Sequence, residues 1–300
     1  MSSIKTLDVN GIDLEYLHKD DDVYILNNKN KRYIVADLAT LDFLKSYNIY
    51  SEKNMDLEDY LYKKKINILD MKILNCKVKS LLLNKIVTLL NIFLNNITFM
   101  ISIFSLVFIP KIITDIQKIN FLEIDIQNIA IIYLVQFLII CLHELGHYQE
   151  YAKECKREYG YFGVGLRYFC LVLFYIDVSF LNTLNKSQKI KIILSGIRNQ
   201  FILNFMFTII YIVTNNEILL GIICMNWIIM ITNALPFMKL DGFWFINTLL
   251  NTENYMDDFF RAIKNKRKVK SIIVILGVLN ITIIITIFFT TLYGVISKVV

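Results

Sequence analysis

Long apolar stretches separated by polar segments make up most of the chain. Five of them have the length of a membrane span, at about residues 86–109, 127–148, 190–213, 218–236 and 271–297. A helix of about 24 residues is about 36 Å long, so it can cross a hydrocarbon layer of about 30 Å. The pattern therefore predicts a polytopic α-helical membrane protein with about five transmembrane helices.

A further apolar stretch, 161–181, differs from these five. It contains Arg167 and Asp177, and its aromatic and β-branched residues favour an extended chain over a helix. Extended backbone at membrane depth is tolerated only where it packs against protein. We predict a re-entrant or interfacial extended segment here, with Asp177 and Arg198 as a pair of opposite charges.

The first 79 residues contain no apolar stretch long enough to span a bilayer. Apolar positions at 23–26 and 33–35, on either side of a polar connection, predict a β-hairpin. Asp37 precedes spaced apolar positions, which is typical of an N-cap and a short helix, and 56–62 has the pattern of a second helix. A hairpin with two or three short helices predicts a small winged-helix-like domain.

Composition supports a membrane protein. Hydrophobic residues make up 56% of the chain and charged residues 19%, and the mean hydropathy is +0.51. An average globular protein is about 45–50% apolar and about 25% charged. Residues 1–79, by contrast, contain 13 basic and 13 acidic side chains. We therefore predict a cytosolic domain at 1–79 and a transmembrane domain at 80–300.

Other features of the composition argue against several classes of protein and of metal site. Two prolines and ten glycines are too few for a collagen-like or a Pro/Gly-rich disordered chain. Five cysteines occur without a Cys-x-x-Cys pair, which predicts neither a disulfide framework nor a cysteine zinc site. The N-terminus lacks the apolar core of a secretory signal peptide, so no cleavable signal is expected.

Basic residues are concentrated in segments that would lie on one side of the membrane. If residues 1–79 are cytosolic, the segments 148–191 and 251–270 place seven and six Lys or Arg residues on that side, against three on the other side. Cytosolic loops of membrane proteins carry such an excess. We predict a multi-pass protein of the cell membrane with a cytosolic N-terminus. Its basic residues contact membrane lipid, and it does not bind nucleic acid.

The sequence His-Glu-Leu-Gly-His at 143–147 carries the candidate chemistry. Residues four apart share one face of a helix, so His143 and His147 can bind the same zinc ion. Glu144 can then act as a general base at the open side of the metal. Only three histidines occur in the chain, and two of them are in this motif. The alternative interpretation of this motif is a polar helix end at the membrane interface. Ionisable groups at membrane depth have a high free-energy cost, however, and usually occur there because they have a function.

A zinc site of this kind needs a third protein ligand. The fourth apolar stretch ends at Pro236, which is expected to break or kink the helix. Asp241 follows at the cytosolic end of that stretch, on the same side of the membrane as His147. The predicted topology therefore makes Asp241 a candidate for the third ligand, although Asp-Gly alone would suggest an ordinary turn.

These two motifs together resemble the site-2 protease family of intramembrane zinc metalloproteases over about 127–250. The segments 162–165 (FGVG), 175–178 (YIDV) and 195–199 (SGIRN) look like its peptide-maturation branch, described as peptide zinc metalloproteases. The resemblance implies that His143, His147 and Asp241 hold one zinc ion. It implies that Glu144 activates a water molecule and that Asn233 lies near the substrate or its oxyanion. Many family members have proline in the place of Ala234.

The candidate substrate-binding residues are Asn233, Pro236, Phe162, Gly163, Val164 and Gly165. An extended segment at 161–169 could capture an unwound substrate by strand addition, although packing alone would also explain it. The N-terminal domain is similar to small winged domains that bind leader peptides. It could therefore concentrate the substrate near the active site, so its removal is expected to raise KM and leave kcat unchanged.

The main functional prediction is an intramembrane zinc endopeptidase. Its substrate would be a membrane-associated precursor peptide, made by the ribosome and modified, that is cleaved near the cytosolic face, with an adjacent exporter or modifying enzyme as a further partner. One alternative is a regulatory site-2 protease that releases a membrane-tethered transcription factor or anti-sigma factor. The other is a non-enzymatic peptide transport or immunity protein, which the presence of Glu144 disfavours because a structural metal site needs no base.

Overall fold

The structure is a computed structural model, and it divides into two compact units, Met1–Trp227 and Ile228–Val300, which are described separately. It describes residues 2–29, 32–47, 60–62, 70–118, 125–167, 171–237, 239–265 and 269–299.

An antiparallel sheet of four strands forms near the N-terminus of the first unit, in the order β2-β3-β4-β5. The predicted hairpin is confirmed as β4 and β5, with Leu26 opposite Tyr33. Asp37 caps the following helix α1 by accepting a hydrogen bond from the Thr40 amide at 2.8 Å. The bounds are β1 Ser2–Ser3, β2 Lys5–Val9, β3 Ile12–Lys19, β4 Asp22–Asn27, β5 Tyr33–Ala36 and α1 Leu38–Ser46.

Strands β2 and β3 were not predicted, and they replace the winged-helix-like arrangement with a four-stranded sheet and one described helix. Asn10 and Gly11 connect these strands with φ angles of 53° and 77°. Asn-Gly is the preferred pair for such a tight turn, so it was the sequence signal for this hairpin. Of the second predicted helix, 56–59 lie outside the described residues, whereas 60–62 are helical.

A second antiparallel sheet has the order β6-β8-β9, with β6 at Asp70–Lys79, β8 at Tyr159–Arg167 and β9 at Leu171–Ile176. The prediction of an extended segment within 161–181 is therefore confirmed. Strand β6 comes from the end of the segment that we assigned to the N-terminal domain. A short strand β7, Cys155–Lys156, pairs in parallel with β1.

Four described helical segments are long and apolar enough to cross a membrane: Asn96–Ile116, Ile126–Glu154, Lys186–Thr214 and Glu217–Ala234. Two shorter apolar segments, Ser80–Leu90 and Ser271–Thr286, accompany them, and the second lies within the fifth predicted stretch. The helices are α2 Ser80–Leu90, α3 Asn96–Ser102, a 3₁₀ helix Ile103–Phe108, α4 Ile109–Ile116, α5 Ile126–Glu154, α6 Lys186–Thr214, α7 Glu217–Ala234, α8 Asp241–Leu250, α9 Tyr255–Asn265 and α10 Ser271–Val299.

The first predicted span, 86–109, is not one continuous helix. Helix α2 ends at Leu90, and α3 begins at Asn96. The Asn95 side chain caps α3 by accepting a hydrogen bond from the Thr98 amide at 2.9 Å. Asparagine competes for backbone hydrogen bonds and favours helix ends, so the polar residues at 91, 95 and 96 move the candidate span towards the C-terminus.

Apolar side chains on the outer faces of these helices are strongly exposed, including Ile97 at 74%, Ile126 at 81% and Val213 at 78%. Soluble proteins rarely leave continuous apolar surfaces of this kind uncovered. Together with the four long apolar helices, the exposed faces support association with a membrane.

The N-terminal sheet packs against the C-terminal end of α5. Ile4, Leu17 and Leu26 from the sheet region form a buried apolar cluster with Tyr151 and Cys155. The Ile4 amide also donates to the Lys156 carbonyl at 2.8 Å. The sheet is thus part of the first unit, in direct contact with the helix that carries the His-Glu-x-x-His motif.

Candidate metal centre

The motif lies on α5, and the helix brings its polar side chains together as the spacing predicts. Both imidazoles are buried, and their Nε2 atoms are 3.1 Å apart. Ligand atoms of His143, Glu144 and His147 all lie within 4.8 Å of one another. This is the only such His, Cys, Asp and Glu group found among the residues that the structure describes.

Helix α6 supplies a hydrogen-bond acceptor to each imidazole. His147 Nδ1 lies 2.7 Å from the Ile192 carbonyl oxygen, and His143 Nδ1 lies 2.9 Å from Gln200 Oε1. A carbonyl oxygen can only accept, so both Nδ1 atoms must carry the proton. An imidazole that carries its single proton on Nδ1 has a lone pair on Nε2, and the two Nε2 atoms are 3.1 Å apart. Two such lone pairs repel each other unless a cation lies between them.

Gly196 on α6 leaves space beside these two nitrogens. A Cβ atom at this position would lie 2.6 Å from Nε2 of both His143 and His147. In a tetrahedral zinc site, two imidazole nitrogens at about 2.0–2.1 Å from the metal are about 3.3 Å apart, close to the separation seen here. The donor atoms, their protonation and the space at Gly196 therefore fit a bound metal ion.

The Glu144 carboxylate is held by the second sheet. The backbone N–H of Ile176, the last residue of β9, donates to Glu144 Oε2 at 3.0 Å. The next amide, Asp177 N, donates instead to the Tyr161 carbonyl of β8 at 2.9 Å. Amides alternate in direction along a strand, so the Ile176 amide belongs to the edge of β9 that faces away from β8. The Ile176 amide thereby fixes one of the two oxygens of the Glu144 carboxylate.

Phe162, Gly163, Val164 and Gly165 lie in β8, the central strand of this sheet. Phe162 is opposite Cys76 of β6 on one side and opposite Ile176 of β9 on the other. Because both edges of β8 are paired, strand addition to its residues 161–167 is not possible in this arrangement, and 168–169 lie outside the described residues. Among the described residues, no strand pairs with the outer edge of β9.

Asn233, Pro236 and Asp241 belong to the second unit. Helix α7 ends at Ala234, as expected from the proline that follows, and Asp241 is the first residue of α8. Tyr255 Oη donates to the Pro236 carbonyl at 2.6 Å and accepts from Asn280 Nδ2 at 2.8 Å. These bonds hold the connection between the two helices. The role of Asp241 as the third ligand stays a prediction.

The predicted pairing of Asp177 with Arg198 is wrong. Arg198 Nη1 lies 3.0 Å from Glu150 Oε1, whereas Asp177 Oδ2 lies 3.8 Å from Arg157 Nη2. Charge sign and membrane depth suggested the pair, but helix α5 supplies the carboxylate of Glu150 to Arg198, and Arg157, directly after β7, reaches Asp177.

Sequence reasoning missed three residues of the centre: Gln200, Gly196 and Ile176. Gly196 lay within a segment that contributed to the family resemblance, but nothing in its local pattern indicated a place beside the imidazoles. Gln200 also bonds within the bundle, since Asn226 Nδ2 of α7 donates to its carbonyl at 3.1 Å. Such polar contacts between apolar helices have no periodic signature.

The chain matches no protein-family model, no curated protein and no solved structure.

Proposed function

We propose that this protein is an intramembrane zinc endopeptidase of the site-2 protease type, with a membrane-associated peptide as its substrate. One observation carries the proposal. Two buried imidazoles, each with its Nδ1 against an oxygen acceptor, bring their Nε2 atoms to 3.1 Å from each other, and a carboxylate held by a backbone amide has a ligand atom within 4.8 Å of theirs. This arrangement suits a metal-dependent hydrolase better than a structural contact between helices.

His143 and His147 would hold the zinc, with Asp241 as the proposed third ligand. A zinc ion bound there would polarise a carbonyl and lower the pKa of a water molecule towards about 7. The protein's own contribution begins with Gln200 and the Ile192 carbonyl, which fix the tautomer and the orientation of the imidazoles.

Glu144 is the proposed general base. Its Oε2 accepts the Ile176 amide, and its other oxygen takes a proton from the attacking water. The same carboxyl group then passes the proton to the amine that leaves when the peptide bond breaks. The Ile176 hydrogen bond keeps the carboxylate oriented between these two transfers.

The outer edge of β9 is the proposed binding site for the substrate backbone. An extended peptide can add to an unpaired strand edge through main-chain hydrogen bonds. On β9 this edge ends at the Ile176 amide, directly beside Glu144. A helical substrate must therefore unwind before cleavage, because its carbonyls are occupied in helical hydrogen bonds. Asn233 is proposed to lie at the substrate carbonyl. The whole site is proposed to lie near the cytosolic face of a cell membrane.

Replacing Glu144 by Gln tests the mechanism. The amide keeps the shape of the side chain and can still accept the Ile176 hydrogen bond, but it cannot take a proton. Cleavage of a mixture of apolar decapeptides, followed by mass spectrometry, should fall by at least about 10²–10⁴-fold. Zinc content should equal that of the unchanged protein. Full cleavage by purified Glu144→Gln would reject the protease proposal.

Replacing Asp241 by Asn tests the third ligand separately. Loss of a charged ligand should lower the zinc affinity by at least about tenfold, measured by competition with a fluorescent chelator. His18→Gln is the matched control, because His18 is an exposed residue of the N-terminal sheet outside the motif. Equal zinc affinity in Asp241→Asn and in His18→Gln would remove Asp241 from the ligand set.

A further inference from the structure

A buried cluster of charges connects three elements of the first unit. Arg157 follows β7, Glu15 lies in β3 of the N-terminal sheet, and Asp177 follows β9. Arg157 Nη2 lies 2.5 Å from Glu15 Oε2 and 3.8 Å from Asp177 Oδ2, and all three side chains are at most 5% exposed. Buried charges are rare unless each is compensated by a partner.

The guanidinium is held from several sides and stays charged. Arg157 Nε donates to Glu15 Oε1 at 3.1 Å, and the guanidinium carbon lies 4.5 Å from the centre of the Tyr161 ring. Burial lowers the pKa of Arg157, but the carboxylates of Asp177 and Glu15 outweigh burial and keep this pKa above its usual value. A charged arginine with a planar set of donors can bind two carboxylates in a fixed geometry.

The cluster also fixes the backbone at the end of β9. Arg157 Nη1 donates to the Asp177 carbonyl at 3.2 Å, and the Asp177 amide donates to the Tyr161 carbonyl at 2.9 Å. Residue 177 is therefore held at its amide, its carbonyl and its side chain. Its neighbour Ile176 donates the hydrogen bond to Glu144. A shift of Asp177 would move the Ile176 amide with it.

We propose that Arg157 is a positioning residue that couples the docking of the N-terminal sheet to the orientation of Glu144. The proposal rests on the proposed function, because it assigns the sheet a part in the same reaction. Glu15 anchors Arg157 to the sheet, Arg157 anchors Asp177, and Asp177 fixes the amide that orients the carboxylate. The sheet then supports the catalytic step itself, and not only the capture of substrate.

This coupling changes the outcome expected when the N-terminal region is removed. If the N-terminal domain only captured substrate, its removal would raise KM and leave kcat unchanged. Without β3, Arg157 loses the closer of its two carboxylate partners, so its hold on Asp177, and through Asp177 on the Ile176 amide, is weaker. The rate of the chemical step should therefore fall, even for peptides too short to reach the N-terminal sheet.

Amide hydrogen exchange, read at single residues in detergent micelles, tests the coupling without any need for protease activity. In Arg157→Met, the Ile176 amide should exchange at least about tenfold faster, while the amides of α6 stay protected. Glu15→Gln keeps the shape of the side chain and the contact between Arg157 and Asp177, so it should give a smaller increase at the same amide. Lys153→Met is the matched control, since it removes an exposed cation four residues earlier and should change nothing at Ile176.

A second readout separates positioning from general stability. For a short decapeptide that the unchanged protein cleaves, Arg157→Met should lower kcat about tenfold and leave KM within twofold. Unchanged exchange at Ile176 in folded Arg157→Met and Glu15→Gln would overturn the coupling. An equal increase over Ile176 and α6 would also overturn it, because it would show general destabilisation. Since exchange does not depend on cleavage, failure of the protease proposal would leave this result readable.

Discussion

The protonation of two histidines decides what the candidate centre can bind. A backbone carbonyl and a glutamine oxygen each require a proton on Nδ1, so both Nε2 atoms are left as acceptors. The motif alone placed the two side chains on one face of a helix. It could not show which nitrogen of each ring is available, because the partners that decide this belong to another helix.

Gly196 gives a direct test at the residue scale. In Gly196→Ala, the new methyl group would lie 2.6 Å from both Nε2 atoms and occupy the space proposed for the metal. Alanine favours a helix by about 1 kcal/mol over glycine, but a Cβ atom 2.6 Å from the two buried imidazoles forces them to shift. Thermal unfolding of the variant therefore has to be measured beside its zinc affinity. Zinc affinity, measured by chelator competition, should fall by at least about tenfold.

Gly294→Ala is the matched control for this substitution. It also lies in an apolar helix, and a Cβ atom there would meet no other atom within 4 Å. Its zinc affinity should equal that of the unchanged protein. A Gly196→Ala variant that binds zinc as tightly as Gly294→Ala would show that the metal is not held beside Gly196.

At the scale of elements, the second sheet determines which edge a substrate can reach. Strand β8 is paired on both sides, and its Gly163 serves packing between strands. Tyr175 Oη donates across Gly163 to the Leu74 carbonyl at 3.3 Å, next to a shift in the register of β6. A side chain at 163 would collide with the Leu74 carbonyl and with the Tyr175 ring. The absence of a side chain thus lets Tyr175 cross the central strand.

Gly163→Val should therefore destabilise the sheet. Extra methyl groups in a closely packed site typically cost about 1–3 kcal/mol, so thermal unfolding in detergent should begin at a lower temperature. Val172→Thr is a suitable control, because this residue of β9 is 58% exposed. If both variants unfold at the temperature of the unchanged protein, the close contact at Gly163 does not contribute to stability.

At the scale of the whole molecule, the predicted orientation in the membrane rests on the distribution of basic residues and not on the fold. The predicted topology places residues near Lys153 and Lys266 in the cytosol and those near Asn215 outside. Lys266 lies outside the described residues. Lys153 lies in the last turn of α5, and Asn215 ends α6. The two positions on α5 and α6 are thus at the ends of long apolar helices.

Single cysteines in a background without native cysteines test this topology. An impermeant thiol reagent should label Lys153→Cys and Lys266→Cys only from the cytosolic side, and Asn215→Cys only from outside. Ile97→Cys, on an exposed apolar face of α3, is the control that neither side should label. Labelling of the Lys153 and Lys266 positions from opposite sides would separate the two motifs and rule out a shared metal.

The sequence by itself determined the features that depend on neighbouring residues. These are the long apolar helices, the β4–β5 hairpin, the cap at Asp37, the end of α7 before Pro236 and the shared face of His143 and His147. Each follows from a period of 3.6 or 2 residues, or from the conformational preference of one residue type. The Asn-Gly turn between β2 and β3 is also a local signal, because this pair favours the positive φ angles of a tight hairpin turn.

Only the tertiary structure decided which distant residues complete the centre. Gln200 reaches His143 across 57 positions of the chain, Ile176 reaches Glu144 across 32, and Glu15 reaches Arg157 across 142. Such contacts depend on how helices and strands pack, and a hydrogen-bonding side chain has the same local pattern whether its partner is water or a buried histidine. For this reason the sequence could indicate the candidate metal ligands His143 and His147, whereas the groups that orient their side chains and that of Glu144 became apparent only when α6 and β9 were placed against α5.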